Sequence, residues 1–513
     1  MISDLLDSAG WILALSASIA IASWMAHRSY RAFLQKSRGP ASAALPTLGP
    51  ATPIDIWLDP QEHRHPGQNG LRLLLNNQDA FAARAGSAAQ AGRSLDLMYY
   101  IWRTDLSGWM LIDALVAAAD RGVRIRLLLD DVNVQGFDRT FLALAQLPQI
   151  EVRLFNPIRN RANVVRRVVE MALGLARFNR RMHGKLWIVD GRLAIIGGRN
   201  IGDTYFSADA GDNAAMSVDA DVQLVGPKVA EVSALFDNYW NMGLSLPIAA
   251  LWPAFTVNQT AFRKRVARQS GTAKARAFAA HLPDIASLTA PISWSNGITL
   301  LADPPDKAYG LHSAPWISTA VSRLLDAATS DVHLITPYFV PGDAGLTALM
   351  GHAARGVQIT LLTNALSATD KVVVFGAYAQ YRHRLLQAGA AVFEFARPPL
   401  GGGKRDVLHA KVFIIDRKTA IIGSLNFDLR SAFMNTELGL MFTDPVLIAQ
   451  MIAEFDDLSA AKNAYHVTAQ GQRLQWNVQR PGLLPVMRTD PEARWQRRLS
   501  SWIVGHLPIK RYL

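Results

Sequence analysis

The sequence predicts an α/β protein in which two similar α/β domains follow an N-terminal transmembrane helix. Three observations support this fold class. A strand–helix–strand pattern occurs twice, a motif of polar residues occurs twice with the same spacing, and an uncharged run lies near the N-terminus. We expect an anchor with a basic flank at 1–38, a linker at 39–60, a first domain at 61–250, an inter-domain segment at 251–300, a second domain at 301–470 and a basic amphipathic tail at 471–513.

The composition of the 513 residues narrows the classes of function. Half of the residues are apolar, which is enough for a large core. The net charge of +12 favours an anionic partner such as phospholipid, nucleic acid or a phosphorylated substrate. The chain contains no cysteine, which excludes disulfides, thiolate zinc sites and a cysteine nucleophile.

The run from Ser8 to Ala26 carries no charge and predicts a membrane anchor. Its length is close to the roughly 20 residues that span a bilayer, and Trp11 and Trp24 lie near its two ends, as interfacial aromatics do. The alternative is a buried, alanine-rich helix of a soluble protein. The basic residues that follow place the remaining chain in the cytoplasm by the positive-inside rule: Arg28, Arg31, Lys36 and Arg38.

The duplicated strand–helix–strand pattern defines the two predicted domains. Arg121–Asp130 (RGVRIRLLLD) and Arg355–Asn364 (RGVQITLLTN) are similar, and each follows an amphipathic helical stretch. A strand-like run ending in aromatic residues precedes each helix, at Leu95–Trp102 and Asp331–Phe339. This order is typical of a βαβ crossover and predicts mixed or parallel sheets.

A polar motif occurs once in each predicted domain. Lysine follows histidine by two positions, aspartate follows histidine by seven, and asparagine follows aspartate by ten. Composition alone gives roughly 0.02 chance matches to the histidine–lysine–aspartate spacing per chain. The first copy comprises His183, Lys185, Asp190, Gly197, Gly198 and Asn200, and the second His409, Lys411, Asp416, Gly423, Ser424 and Asn426.

The spacing of the motif indicates chemistry at phosphorus. Residues two apart in an extended segment share a face, so the histidine and lysine of each copy point the same way. Two facing copies provide one imidazole as nucleophile and another as acid for the leaving oxygen. Lysine and asparagine stabilise the phosphoryl charge, so no metal or other cofactor is expected. Asp190 and Asp416 are expected to organise the turn of the motif rather than to touch the substrate.

With these motifs the chain resembles the phospholipase D superfamily, and within it the bacterial cardiolipin synthases of the C type. The supporting segments are HPGQNG (65–70), DAFAAR (79–84), GGRNIGDTYF (197–206), GSLNFDLRS (423–431) and MNTELG (434–439). The similarity runs from about residue 60 to the C-terminus. It implies two phospholipase D-like domains that form a pseudo-twofold pair around one shared active site. Gly198 departs from the serine of many superfamily members.

The resemblance also implies roles for individual residues. His183 would be the nucleophile that forms a phosphohistidine, and His409 the acid and base, although the site is nearly symmetric. Lys185, Lys411, Asp190 and Asp416 would complete the catalytic set. Two acidic residues would orient the rings: Glu437 in the second half, and Asp221 in the first, with Asp219 as its rival. The substrate phosphate would be bound by Asn200, Ser424 and Asn426.

Two basic segments are candidates for contact with lipid. Arg159–Arg181 mixes arginines with valines and leucines, and Arg494–Leu513 places tryptophans at helical spacing beside arginines. The alternative for each is a surface helix packed on its domain. Tyr100 and Tyr338, at matching places in the repeat, either line the pocket or belong to the core, and Trp187 and Phe413 are expected in the core.

The expected activity is synthesis of cardiolipin by phosphatidyl transfer to phosphatidylglycerol, from phosphatidylglycerol or phosphatidylethanolamine. The alternatives are a phospholipase D-type hydrolase releasing phosphatidic acid, a nucleic-acid phosphodiesterase and a non-catalytic lipid-binding protein. The expected partners are membrane phospholipids, including the cardiolipin product, and not nucleic acid. A monomer suffices because both half-sites lie in one chain. The expected location is the bacterial inner membrane, with the catalytic domains in the cytoplasm.

Overall fold

The computed structural model describes residues 2–161, 163–208, 215–283, 291–312, 314–398 and 404–507, without the side chains of 2–10 and 12. Its first half alternates helices and strands around one sheet. The helices are α1 Ile2–Ser37, α2 Pro53–Arg64, α3 Asn77–Gln90, α4 Leu106–Asp120, α5 Asp138–Leu144, α6 Val164–Leu173, α7 Leu175–Phe178, α8 Asp203–Phe206, α9 Val229–Trp240, α10 Gln259–Ser270 and α11 Ala273–Ala280. The strands are β1 Asn69–Leu74, β2 Ser94–Tyr99, β3 Arg124–Asp130, β4 Ile150–Phe155, β5 Leu186–Val189, β6 Leu193–Gly197, β7 Ser217–Val218, β8 Asp221–Val225, β9 Ser245–Pro247 and β10 Ser293–Ser295.

The second half repeats this alternation around a second sheet. Its helices are α12 Ile317–Asp326, α13 Gly342–Ala354, α14 Val372–Ala379, α15 Arg382–Gln387, α16 Leu429–Phe433, α17 Pro445–Ser459 and α18 Trp495–Gly505. Its strands are β11 Ile298–Ala302, β12 Asp331–Ile335, β13 Phe339–Val340, β14 Gln358–Asn364, β15 Ala391–Phe395, β16 Val407–Leu408, β17 Val412–Ile415, β18 Thr419–Gly423, β19 Phe427–Asp428, β20 Leu438–Phe442, β21 Ala464–Gln470, β22 Arg473–Asn477 and β23 Val486–Met487.

The two large sheets have the same order over eight strands, which run from β1 to β9 in the first sheet and from β11 to β21 in the second. The first is β10-β1-β8-β6-β5-β2-β3-β4-β9, and the second is β11-β20-β18-β17-β12-β14-β15-β21-β22-β23. In each, three neighbouring strands are parallel, β2-β3-β4 and β12-β14-β15, and the strands that carry the motif pair antiparallel. The predicted α/β class with two similar halves is therefore confirmed. The chain passes from the first sheet to the second between Ser295 and Ile298.

The core has three parts, and the middle one joins the halves. Side chains alternate along β5 and β17: Leu186 and Ile188 enter a cluster together with Val412 and Ile414 from the other half. The intervening residues enter separate outer clusters, with Trp187 in the first half and Phe413 in the second. Two halves that share one core hold the ends of β5 and β17 in a fixed relation.

The N-terminal segment is helical, but the predicted membrane span is not confirmed. Within the described part of the chain, no helix is both long enough and apolar enough to cross a membrane. Part of the predicted span lies outside the described side chains, at 8–10 and 12.

The end of α1 and the predicted linker pack on the first half. Tyr30 is buried, donates its hydroxyl hydrogen bond to the Pro157 carbonyl at 2.8 Å and lies under the Arg177 guanidinium. Burial raises the pKa of Tyr30 above its usual value of 10.0. Arg153 donates to the Pro40 carbonyl at 2.5 Å, which fixes the linker against β4.

Candidate active site

The backbone at each motif histidine is hydrogen-bonded to the opposite half. The His183 N–H donates to the Thr436 carbonyl at 2.9 Å, and the His409 N–H donates to the Val218 carbonyl at 2.7 Å. Each acceptor immediately precedes an acidic residue, so Glu437 is presented to His183 and Asp219 to His409. A short parallel pairing of β7 with β16 and a bridge between Met182 and Thr436 extend these crossings.

The His183 ring is held by the second half. Its Nδ1 lies 2.8 Å from Glu437 Oε2 and 3.1 Å from the Ser424 carbonyl oxygen. Both partners are acceptors, so Nδ1 carries the proton and Nε2 keeps a free lone pair. Ser424 Oγ in turn donates to Glu437 Oε2 at 2.5 Å. The edge of Tyr100 packs against the ring with centroids 4.9 Å apart.

The His409 ring is held by the first half in the corresponding way. Its Nδ1 lies 2.5 Å from Asp219 Oδ2. The edge of Tyr205 packs against it, with centroids 5.2 Å apart. A Cβ on Gly198 would lie 2.1 Å from Asp219 Oδ1, so the glycine allows this carboxylate to approach. The serine expected from many relatives would not fit there.

The prediction that Asp221 orients a ring is wrong, and Asp219, named as its rival, takes that place. Asp221 is fully buried in ion pairs with Arg84 at 2.9 Å and Arg199 at 3.4 Å. The strand register gives the reason. Asp221 pairs with Gly197, and Gly439 pairs with Gly423, so Asp219 corresponds to Glu437. Alternation in a strand has a period of two, and a shift of two residues leaves the face unchanged.

The aspartates of the motif lie at the far end of its strands. The Asp190 carboxylate accepts N–H bonds from Gly92, Arg93 and Ser94 at the start of β2. Asp416 does the same for Thr329, Ser330 and Asp331 before β12. Five residues of strand separate Asp190 from Lys185, or about 16 Å. The structure therefore does not bring the two aspartates, which we grouped with the catalytic set, to the rings.

Both motif lysines lie beside the histidines that precede them. Lys185 Nζ donates to the His183 carbonyl, and Lys411 Nζ donates to the His409 carbonyl and lies 2.9 Å from His409 Nδ1. Burial and the second lysine lower the pKa of Lys185 to about 7, and burial also lowers the pKa of Lys411. These buried ammonium groups suit an anionic ligand, which would restore their charge.

The two acids differ electrostatically, which breaks the symmetry of the site. Burial acts to raise the pKa of Asp219, but His409 and Lys411 outweigh it and lower that pKa to about 2. Burial raises the pKa of Glu437, and Lys185 offsets this only in part. Asp219 is therefore charged at neutral pH, whereas Glu437 retains a proton more readily.

The electrostatic surroundings of the two histidines also differ. Burial and both lysines lower the pKa of His183 well below 6.5. Burial and Lys411 also lower the pKa of His409, but the charge of Asp219 opposes them. His183 is thus the neutral imidazole of the pair, and His409 is the one whose protonated form has a charged partner.

The three residues predicted to bind phosphate already make hydrogen bonds within the protein, Asn426 through Nδ2 to Ser431 Oγ at 3.4 Å. Asn200 accepts from the Ile101 N–H at 3.1 Å and donates to the Tyr205 hydroxyl at 3.2 Å. Ser424 is bound to Glu437. Asn426 is buried and its Oδ1 has no hydrogen-bond partner.

The sequence singled out Tyr100 and Tyr338 together, and the structure separates them. Tyr100 packs against His183, whereas Tyr338 donates its hydroxyl hydrogen bond to the Asp370 carboxylate, 2.9 Å from Oδ1. The ring beside His409 is Tyr205, which sequence reasoning missed. Its signal was its place in the GGRNIGDTYF segment, five residues after Asn200.

Among the described residues, no group of three or more histidine, aspartate and glutamate side chains is arranged to hold a metal ion. The polar groups that converge are two imidazoles, two carboxylates and two lysines. Such a set provides a neutral nucleophile, a proton donor and positive charge for a phosphoryl group.

Comparison with known proteins gives consistent matches along the chain. The family described as "Cardiolipin synthase, PLD-like domain" matches residues 87–240 and 321–459. Cardiolipin synthase C of Escherichia coli (strain K12) is 35% identical over 483 residues, covering 87% of this chain and 97% of that protein. Cardiolipin synthase of Geobacillus sp. (strain WCH70) is 26% identical over 410 residues, covering 79% and 70%.

A solved structure shares the fold. The crystal structure of phosphatidylserine synthase from Haemophilus influenzae Rd KW20 superimposes with a TM-score of 0.56 and 12% identity, covering 89% of this chain and 100% of that one. At that identity the likeness concerns the fold alone.

Proposed function

This chain belongs to the cardiolipin synthase family with phospholipase D-like domains, and from that premise we propose that it makes cardiolipin by transferring a phosphatidyl group to phosphatidylglycerol. The donor is phosphatidylglycerol or phosphatidylethanolamine. The observation that carries the proposal is the reciprocal pairing of His183 with Glu437 and of His409 with Asp219, because it gives one site two imidazoles whose carboxyl partners differ in their readiness to carry charge.

In the first step, Nε2 of His183 attacks the phosphorus of the donor. The bond from phosphorus to the headgroup oxygen breaks, and a phosphohistidine forms. His409 gives its proton to the departing alkoxide, so the headgroup leaves as an alcohol. The charge of Asp219 supports the protonated form of His409, and the depressed pKa of His183 keeps its lone pair available.

In the second step, a hydroxyl group of phosphatidylglycerol attacks the phosphohistidine. The proton of that hydroxyl passes to His409, which now acts as the base, and the N–P bond breaks to free His183. Lys185 and Lys411 stabilise the negative charge of the phosphoryl oxygens in both steps. Asn426, with its unpartnered buried Oδ1, completes the polar surface on the second-half side.

The enzyme works at the bacterial inner membrane, with its catalytic halves on the cytoplasmic side and α1 contributing to attachment. Exposed apolar residues on three helices support membrane contact. They are Trp11 and Trp24 on α1, Val164, Val165, Val168 and Val169 on α6, and Trp495 and Trp502 on α18. Arginines beside these residues favour an anionic surface.

The test is lipid mass spectrometry after incubating the full chain with defined vesicles. Vesicles of phosphatidylglycerol, with and without phosphatidylethanolamine, separate the two donors. We expect cardiolipin, and we expect His183→Ala and His409→Ala each to lower the rate by about three orders of magnitude or more while leaving the circular dichroism unchanged.

Two outcomes would contradict this function. Phosphatidic acid without cardiolipin would mean that water is the acceptor and that the chain is a hydrolase. A near-normal rate in either alanine variant would exclude the mechanism with two histidines.

A further inference from the structure

An apolar groove of about 370 Å³ lies between α12 and α13, beside the loop that follows the second motif. Pro341, Ala344, Gly345, Ala348 and Leu349 form its α13 wall. The spacing of three and four residues places this stripe along one helix face. The α12 wall consists of Ser318, Thr319, Val321, Ser322 and Leu325. Small side chains on one wall and mixed ones on the other leave a channel of the volume typical for small ligands.

The inner end of the groove lies at the last residues of the second copy of the motif. Asn426 and Asp428 line the groove there. Asn426 is 6% exposed, and its Oδ1 has no hydrogen-bond partner, which is costly for a buried polar atom. Burial raises the pKa of Asp428 to about 6, and its charge acts on Lys411. A ligand in the groove therefore meets a polar end with an open acceptor.

The outer end of the groove opens at Phe433, whose side chain is 56% exposed. Arg180, which follows α7, donates to the carbonyl groups of Phe433 and Lys307. Arg430 of α16 donates to Asn179 Oδ1 at 2.7 Å. These bonds fix the opening next to the α6–α7 segment, and no residue of α6 is buried. The opening thus lies near the end of α7, the short helix that follows the exposed helix α6.

We propose that this groove binds one acyl chain of a membrane phospholipid whose phosphate lies at the motif residues. The inference rests on the proposed function for the identity of the lipid. A fatty acyl chain matches an apolar channel that has a polar inner end at Asn426 and Asp428 and an outer end at the exposed Phe433. The chain stays in contact with apolar side chains while the headgroup enters the polar site.

The first test is direct and does not need turnover. Phosphatidylglycerol with a photoreactive diazirine near the end of one acyl chain is incorporated into vesicles with the full chain and irradiated. We expect adducts in the peptides that contain 317–326 and 342–354. Adducts confined to other segments, such as α1, α6 or α18, would overturn the proposal, since the groove would then hold some other occupant.

The second test fills the groove. Ala348→Trp places an indole in the channel, while Thr347→Trp puts the same side chain at a neighbouring exposed position of α13 that does not line it. Each methylene kept from its apolar site lowers affinity by roughly fourfold. We expect Ala348→Trp to raise KM for dioleoyl phosphatidylglycerol by about tenfold or more and to leave dihexanoyl phosphatidylglycerol unaffected. Thr347→Trp should change neither.

The outcomes distinguish failure of acyl-chain binding in the groove from failure of the proposed activity. Equal effects of Ala348→Trp on both lipids, or no effect on either, would overturn acyl-chain binding. If the unmodified protein turned over neither lipid, the proposed function would fail, and the diazirine adducts would still decide whether the groove takes an acyl chain.

Discussion

Each catalytic histidine in the proposed mechanism depends on a carboxylate from the opposite repeat. The sequence identified both histidines because the motif spacing is rare by chance, and its resemblance to the family identified Glu437. It did not distinguish Asp219 from Asp221, because both positions share a strand face and only pairing with the neighbouring strand separates them. Nor did it show that the acids serve the rings crosswise, since that contact is set by the packing of the two halves.

We expect Asp219→Asn to lower kcat by about two to three orders of magnitude with little change in Tm, because His409 loses the charge that supports its protonated form. Asp221→Asn should instead act mainly on stability. It leaves Arg84 and Arg199 buried without a charged partner, and should destabilise the fold by about 3–5 kcal/mol. Rates and thermal unfolding of the two variants check this, and equal losses of activity with equal Tm would contradict it.

The rate should fall on the alkaline side near neutral pH. Lys185 must be protonated to stabilise phosphoryl charge, and burial lowers its pKa to about 7, so its charge is lost as the pH rises through that value. His409 must also carry its proton, and its pKa is lowered from 6.5. We therefore expect kcat/KM to fall already as the pH rises toward neutrality and to fall more steeply, by about a further tenfold per pH unit, above pH 7, since kcat/KM reports the free enzyme. The acid-side loss should lie well below pH 6.5, where His183 takes a proton.

Lys185→Arg serves as the control for this assignment. Arginine keeps its charge across the range, so any remaining activity should lose the additional fall above pH 7 and keep the fall caused by His409. An unchanged additional fall in that variant would assign the titration to another group.

At the scale of elements, periodicity predicted the strands and helices of both repeats, because buried faces leave a regular pattern. For the segments predicted to contact lipid, the sequence did not decide between a membrane surface and packing on the domain. For α18 the structure agrees with both interpretations, a helix packed on its domain and a helix that contacts lipid. Gly376 of α14 lies against the Ser501 carbonyl, while Trp495 and Trp502 remain exposed. Which face of a helix packs depends on its neighbours, and a single sequence does not contain them.

Helix α6 should contribute to vesicle binding through its valines. Val165 and Val168 are exposed, and no residue of the helix is buried. We expect the double variant Val165→Glu and Val168→Glu to weaken binding to phosphatidylglycerol vesicles by about tenfold or more in a sedimentation assay. Val446→Glu, at an exposed valine on α17, is the matched control and should bind normally. Binding that is unchanged by the double variant would exclude α6 from the membrane surface.

At the scale of the whole molecule, the duplication predicted two facing half-sites, and the shared core explains how they are kept together. The order of the strands within each sheet was not predicted, because pairing of distant segments depends on contacts that local patterns do not encode. Strands β22 and β23 illustrate this, as they extend the second sheet from a segment that composition suggested was a tail.

Because both half-sites belong to one chain, mixing two inactive variants should not restore activity. We expect purified His183→Ala and His409→Ala proteins to remain inactive when combined in the same vesicles. Recovery of up to about a quarter of the normal rate, as random exchange of halves between two chains would give, would show that sites form between chains. Measuring cardiolipin formation at several mixing ratios distinguishes the two cases.

The crosswise contacts also bear on how the two repeats could diverge after duplication. His183 contacts Glu437, and His409 contacts Asp219, so a substitution at one of these positions in one repeat first affects a residue of the other repeat. Divergence of the repeats would then leave correlated substitutions between them, in addition to any within each repeat. The pair Gly198 and Asp219 and the pair Ser424 and Glu437 each lie within one repeat and show a second, local match: the shorter acid lies beside the glycine, and the longer acid accepts a hydrogen bond from the serine.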